Sequence, residues 1–411
     1  MFAWFKDLMA SERKALIAAY AGWSMDAFDF MIYSFVIPTL IAAWAMSKGQ
    51  AGAIAALASL LSAAGGWAGG ILADRWGRVR VLQLTIAWFA LFTFLSGFTH
   101  SFEQLLVMRG LQGLGFGAEW AVGSVMIGEI VSSQHRGKAV GMVQSGWAVG
   151  WGVAAILFTL FFTVLPEDLA WRALFWIGLL PALLVLYVRG GVREPELSEA
   201  TRARVETEGG NFLEIFSPAL LRTTLLASLM TTGMHGGYYA VTTWLATFLK
   251  TERGLSVIGT GSYLVVVISG SFCGYLVSAF LADQLGRRNT FFIFALCSAC
   301  IAGAYTFFPL NNANILLLGF PLGFFVSGNF SGVGAFLTEL YPTRVRGSGQ
   351  GFAYNFGRAV GAVFPALVGL LSVGVMLSTA IGILAGIAYL AVISAVSLLP
   401  ETRGKHLAVY D

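Results

Sequence analysis

The chain has 411 residues, of which 57% are apolar and only 11% charged, and its net charge is +4. A soluble domain carries about 25% charged residues, so there is too little charge here to coat a water-facing surface of this size. Soluble enzymes and nucleic-acid-binding proteins are thereby excluded, and the small basic excess reads as membrane topology.

A bilayer core of ~30 Å needs about 20 apolar residues per helical span. Apolar runs separated by short charged or Gly/Pro-containing breaks predict twelve spans. They lie at 15–43, 50–73, 80–99, 103–130, 138–164, 172–189, 219–249, 256–281, 289–308, 313–340, 347–372 and 375–399. Residues 1–20 are amphipathic and hold Lys6, Asp7, Glu12, Arg13 and Lys14, unlike a cleavable leader, so the first span is expected to serve as the insertion signal. With the N-terminus inside, 19 Lys and Arg fall on the inner side and four (Lys48, Arg172, Lys250, Arg253) outside. That bias follows the positive-inside rule. It predicts a multi-pass protein of the bacterial inner or plasma membrane with both termini cytoplasmic. The long charged break at 190–218, which includes Gly209-Gly210, is expected to be a cytoplasmic linker, with a short surface helix, between halves 1–189 and 219–411.

Ionisable groups inside spans are costly and are therefore candidate functional residues. In chain order, Asp26 and Asp29 stand mid-span in the first helix at i, i+3, and Tyr33 continues that face. Arg109, Gln112 and Glu119 lie in the fourth span. Gln144, Trp147 and Trp151 lie in the fifth. His235 lies in the seventh with Tyr238, Tyr239 and Thr242 at helical spacing. Arg358 lies in the eleventh, with Tyr354 and Asn355 one turn back.

Each has a bland reading beside the sharp one. Asp26, Asp29 or Glu119 could carry a transported proton or sit in static pairs. Arg109 could tune a carboxylate or tie helices together. Arg358 could neutralise an aspartate or hold a substrate carboxylate, which a guanidinium matches bidentately. His235 could be a hydrogen-bonded core residue or touch substrate. No Cys/His set suggests a metal, and no cofactor is expected. Gly113, Gly115 and Ala118 fit a dinucleotide-binding pattern, but that pattern needs a strand before it, and here it lies inside a span. No phosphate-binding loop motif is present, so ATP is not the expected driving force.

The two halves resemble each other. Asp74-Arg75-Trp76-Gly77-Arg78 after the second span matches Asp283-Gln284-Leu285-Gly286-Arg287-Arg288 after the eighth. Glu129 stands seven residues before Arg136, and Glu339 seven before Arg346. Pro195-Glu196 echoes Pro400-Glu401. Parallel six-span repeats are a transporter architecture with the substrate site at the repeat interface.

The motifs sharpen this. Gly70-Ile71-Leu72-Ala73-Asp74-Arg75-Trp76-Gly77-Arg78-Val79-Arg80 resembles the signature loop of the major facilitator superfamily. Arg109-Gly110-Leu111-Gln112-Gly113-Leu114-Gly115-Phe116-Gly117 resembles its fourth-span motif, and Pro400-Glu401-Thr402-Arg403-Gly404 its end-of-bundle motif. Gly22-Trp23-Ser24-Met25-Asp26-Ala27-Phe28-Asp29-Phe30, Gly117-Ala118-Glu119-Trp120 and Asn355-Phe356-Gly357-Arg358 resemble the sialate:proton symporter family and neighbouring aromatic-acid and metabolite:proton symporters. The resemblance implies an all-α membrane protein of twelve helices in two pseudo-symmetric six-helix bundles. In that fold helices 1, 4, 7 and 10 line the cavity. It also implies a gating charge relay of Asp74, Arg75, Arg78, Glu129 and Arg136, mirrored by Asp283, Arg287, Glu339 and Arg346.

The expected function is proton-coupled import of a small organic anion by rocker-switch alternation. Proton coupling is expected at Asp26, Asp29 or Glu119. Substrate contact is expected at Arg358, His235, Tyr33, Tyr238, Tyr239, Tyr354, Asn355 and Gln144. The expected partners are the anion, protons and the bilayer, with no nucleic acid, and the expected state is a monomer. A drug or metabolite:proton antiporter of the same fold is the rival reading. An embedded enzyme is set aside because no nucleophile–base set or metal cluster is visible.

Overall fold

In the computed structural model of the protein, residues 8–76, 78–130, 136–180, 183, 212–342 and 345–403 are described. Helices α1 (Ala10–Trp44), α2 (Lys48–Trp76), α3 (Arg78–Ser96), α4 (Phe102–Ile130) and α5 (Arg136–Val164) fall on the first five predicted spans, and α6 (Glu167–Ile177) starts five residues before the sixth and overlaps its beginning. A 3₁₀ turn (Phe212–Phe216) leads into α7 (Leu221–Thr251), α8 (Val257–Leu285) and α9 (Arg287–Phe307). Then come α10 (Asn312–Gly328), α11 (Val333–Leu340), α12 (Arg346–Gly361), α13 (Phe364–Leu371) and α14 (Leu377–Leu398). Helix is the form that satisfies every backbone group inside a segment, which lipid requires. Among the described residues nine helices are long and apolar enough to cross a membrane. Of the expected linker at 190–218, the part before Phe212 lies outside the described residues.

Spans ten and eleven each split into two helices. In the eleventh, Pro365 has no amide hydrogen and cannot continue the ladder. The Ala362 and Val363 amides turn to Arg358 O (3.0 Å) and Val360 O (3.2 Å). In the tenth, the chain leaves the helix between α10 and α11. There Phe330 N bonds Ser327 O (3.1 Å) and Ser331 N bonds Gly328 O (3.2 Å). Pro321 lies within α10. Ends are capped by short polar residues: Ser256 accepts from Gly259 N and Asn311 from Asn314 N. The start of α14 is capped from a distance, where Glu252 Oε1 accepts from Leu377 N (2.6 Å).

The chain forms two compact units. The first, called N-terminal here, holds Met1–Ile32 and Leu57–Gly209. The second, C-terminal, holds Tyr33–Ala56 and Gly210–Asp411. In the first, α3 packs on α4 and α6. In the second, α7 packs on α12 and α14, α8 on α10, and α9 on α14. One crossing recurs in both. Gly117 of α4 lies against Ser62 O and Gly66 N of α2, and Gly323 of α10 lies against Val267 O and Ser271 N of α8. A methyl at either glycine would overlap the facing backbone, so the absence of a side chain sets the helix separation. Large apolar residues such as Trp67, Leu84, Leu225, Phe280, Leu317 and Leu390 face outward, while Asp26, Asp29, Arg109, Glu119, His235 and Arg358 are buried. A chain with this arrangement has lipid as its outer solvent.

Candidate functional site

The sequence-predicted residues gather into separate clusters within each unit. In the N-terminal unit Asp29 of α1 is enclosed by three helices. Arg109 Nη1 of α4 donates to Asp29 Oδ1 and Oδ2, both at 3.2 Å, and Nη2 reaches Asp29 O at 3.4 Å. Thr93 Oγ1 of α3 donates to Asp29 Oδ1 (2.6 Å), and Gln112 Nε2 donates to Oδ2. The guanidinium carbon of Arg109 also stands 5.8 Å from the Phe175 ring centre. Asp29 and Arg109 therefore form a buried ion pair with its hydrogen bonds supplied.

Asp26 lies one turn away on α1. It is buried, as is Glu119 of α4, whose Oε1 lies against α1 at Gly22. Beside them stands an aromatic cluster: Trp23 and Trp147 at 4.8 Å between centroids, Phe30 and Trp147 at 5.7 Å, and Phe30 and Phe116 at 6.1 Å. Gln144 and Trp151 of α5 are buried in the same unit.

In the C-terminal unit the predicted residues of α7 and α12 come together. His235 Nδ1–H donates to Thr231 O (2.8 Å), and Thr231 Oγ1 donates to Ala353 O (2.7 Å), tying α7 to α12. The imidazole meets Tyr354 (4.9 Å) and Phe330 (5.1 Å) edge-on, and Tyr239 at 5.7 Å. Tyr238 meets Phe330 at 5.3 Å and Tyr239 at 6.0 Å. Arg358 is buried and lies within electrostatic range of both His235 and Tyr354. Tyr275 of α8 hydrogen-bonds Ser327 and lies in range of Tyr354 and Tyr239. The result is a cation set among aromatic rings, which can hold a planar anion by charge, stacking and hydroxyl contacts.

Two further predicted contact residues carry structural hydrogen bonds. The Tyr33 hydroxyl donates to Ala51 O (2.7 Å), a tie between α1 and α2. Asn355 Nδ2 bonds Gly351 O (3.0 Å) on its own helix.

Of the second-half charge cluster, Arg287 Nη2 pairs with Glu339 Oε1 (3.4 Å), and Thr402 donates to Glu339 Oε2. Glu401 caps α9 by accepting from Arg287 N (2.9 Å) and Arg288 N (3.1 Å). The side chains of Asp74, Arg75, Arg78, Glu129, Arg136, Asp283 and Arg346 lie outside the described residues. Among the described residues no group of His, Cys, Asp and Glu is arranged to hold a metal.

The sequence reading missed Thr93, Phe330, Tyr275, Trp23, Phe30 and Phe116. Phe330 did carry a signal: it sits in Ser327-Gly328-Asn329-Phe330-Ser331-Gly332, a small polar run inside an apolar span.

The Major Facilitator Superfamily model matches residues 19–365 and 275–409. A protein of Cupriavidus pinatubonensis described as a probable 4-methylmuconolactone transporter is 42% identical over 407 residues, covering 98% of this chain and 94% of that one. The cis,cis-muconate transport protein of Acinetobacter baylyi is 31% identical over 366 residues, covering 88% of this chain and 87% of its own. Among solved structures, the proton:xylose symporter XylE bound to 6-bromo-6-deoxy-D-glucose superposes with a TM-score of 0.73. Identity is 18%, with 97% of this chain and 98% of that chain covered, so the likeness is one of fold. The chain belongs to the major facilitator superfamily: it is an integral, multi-pass membrane transporter, not an enzyme.

Proposed function

We propose that this major facilitator carries small planar organic acids into the cell together with protons. The observation that carries the reading is buried Arg358 in the company of His235, Tyr238, Tyr239, Phe330 and Tyr354. A guanidinium offers a carboxylate two parallel hydrogen bonds. The rings offer faces and edges to a conjugated or aromatic body. His235 Nδ1 is engaged by Thr231 O, so Nε2 is the nitrogen that meets a ligand. Two relatives are described as carriers of 4-methylmuconolactone and cis,cis-muconate. Muconate is a conjugated dicarboxylate, with both features the cluster suits. Antiport of an apolar cation would gain nothing from a buried guanidinium.

Proton coupling follows from energetics. An anion entering against an inside-negative potential is opposed by about 2.3 kcal/mol per charge per 100 mV, and a co-transported proton cancels one charge. The candidate proton carriers are Asp26, Asp29 and Glu119, buried on α1 and α4. Alternation is gated at the inner face by the relay Asp74, Arg75, Arg78, Glu129 and Arg136 and its mirror Asp283, Arg287, Glu339 and Arg346. The protein works as a monomer in the bacterial inner membrane with both termini cytoplasmic.

The test is thermal-shift screening of detergent-purified protein against mono-, di- and aromatic carboxylates, sugars and apolar cations at two pH values, repeated with Arg358→Ala. A ligand that binds only the native state stabilises it by RT ln(1 + [L]/Kd). An acid should raise the Tm of the wild type, more so at the lower pH, and fail to do so for Arg358→Ala. If only sugars or cations raise it, the acid reading is abandoned.

A further inference from the structure

The polarity of His235 is fixed by what one of its nitrogens touches. Nδ1 lies 2.8 Å from Thr231 O, one turn back on α7. A carbonyl oxygen only accepts, so Nδ1 is the nitrogen that carries the hydrogen. A neutral imidazole has one N–H. Here it is spent on the backbone, and Nε2 is left as a bare lone pair. Among the described residues no N–H or O–H reaches Nε2.

The ring is held in this pose from several sides. Thr231 Oγ1 donates to Ala353 O of α12 (2.7 Å). Gly361 of α12 lies so close to His235 Cβ and Gly236 N that a methyl there would overlap them. Tyr354 at 4.9 Å and Phe330 at 5.1 Å meet the imidazole edge-on, and Tyr239 stands at 5.7 Å. The charged group on that side is a cation. Arg358 follows Tyr354 by one turn of α12, and residues four apart on a helix share a face, with Cβ atoms about 5–6 Å apart. Helices α7, α10 and α12 carry no carboxylate. A second proton on the ring would set two like charges together with no anion to offset them. The imidazole is therefore a neutral acceptor, whereas the guanidinium offers donors only.

Building on the organic-acid reading above, we infer that His235 is the specificity-determining residue of this cluster, and that it selects acids carrying a hydrogen-bond donor as well as a carboxylate. The donor is an O–H or N–H on the body of the acid, set across one ring from the carboxylate, as in a hydroxylated aromatic acid. The carboxylate meets the Arg358 fork, and the donor meets His235 Nε2. No covalent bond is made or broken. An acid with acceptors alone leaves Nε2 buried and unserved, which is the penalty a site built for a hydroxyl imposes on analogues that lack one. Dianionic muconate uses Arg358 but not Nε2.

Two readouts test this. The first needs no substrate. The full-length protein carries four histidines, so His100→Gln, His135→Gln and His406→Gln together leave His235 alone. Its isotope-labelled ring nitrogens are then observed by solid-state NMR in lipid at neutral pH. Nδ1 should appear as an N–H nitrogen and Nε2 as a bare one. A hydrogen on Nε2, with or without one on Nδ1, overturns the inference. The second is a thermal-shift titration of the detergent-purified wild type with 3- and 4-hydroxybenzoate, benzoate, and the corresponding fluorobenzoates, which nearly match the hydroxyl in size and lack its hydrogen. The better hydroxybenzoate should bind about tenfold more tightly than its fluoro counterpart and than benzoate. That ratio should fall toward one in His235→Phe, which keeps a ring and drops the lone pair. Equal binding of hydroxy and fluoro acids by the wild type, or a wild-type ratio in His235→Phe, overturns the inference and leaves the organic-acid reading standing. If sugars or apolar cations bind and none of these acids does, the organic-acid reading falls and the donor selection falls with it.

Discussion

Arg109 and Arg358 are both buried arginines in the middle of membrane helices, one in each unit, and the company they keep differs. Arg109 spans both oxygens of Asp29, and that carboxylate is also served by Thr93 and Gln112. Arg358 stands beside Tyr354 and His235 within an aromatic cluster. Helices α7–α14 carry no carboxylate except Asp283 and Glu339, which lie near helix ends. Desolvation makes a buried charge costly wherever it sits. The N-terminal unit sets Asp29 against Arg109, while Arg358 stands among aromatic rings, where the proposed acid would meet it. A residue type alone therefore does not tell one surrounding from the other. The neighbours do.

The largest expected effect is on the Asp29–Arg109 pair. Arg109→Met leaves the Asp29 carboxylate buried without its cation, which should cost about 3–5 kcal/mol. Thermal unfolding in detergent would show this, and the double variant with Asp29→Asn should recover most of the loss. Stability equal to wild type in the single variant would erase the contrast between the two arginines.

Arg358→Met removes the cation proposed to meet the acid. Its effect should appear in binding. The thermal shift produced by cis,cis-muconate should disappear, reflecting a loss of about 1.5–3 kcal/mol for a charged hydrogen bond. Arg358→Lys should not restore it, because a point charge lacks the planar fork.

A smaller effect should sharpen the aromatic side of the contrast. Phe330→Leu should weaken aromatic and conjugated acids by about 0.5–1.5 kcal/mol while sparing saturated ones of like size, as read by competition uptake. Smallest is Glu252→Ala, which removes the cap on α14. It should lower stability by about 1 kcal/mol and leave acid binding unchanged, as paired thermal-shift curves would show.

Much of this was legible before any coordinates. Apolar runs located the helices because lipid permits little else. The rarity of charge inside spans picked out Asp26, Asp29, Arg109, Glu119, His235 and Arg358. Their pairing was not legible. Asp29 meets residues 64 to 83 positions away, and the helix face it shares with Tyr33 predicts no contact, since that hydroxyl turns to Ala51. Phe330 and Tyr275 were hidden for a different reason. In a chain that is 14% aromatic, one more ring inside an apolar span carries no signal until the fold selects it. The break in span ten was not legible either: it comes at Asn329–Gly332, which has no proline, while Pro321 lies within a helix.

That break also bears on how such a protein can change. A continuous helix turns about 100° per residue, so a shift at one point rotates everything downstream. Phe330 lies in the unwound stretch, and Glu339, bound to Arg287, lies on the separate helix beyond it. The interruption works as a clutch. Under the proposed function, residues around Phe330 could be reshaped by mutation for a new cargo without twisting the Arg287–Glu339 pair, so selectivity could diversify while that pair is kept.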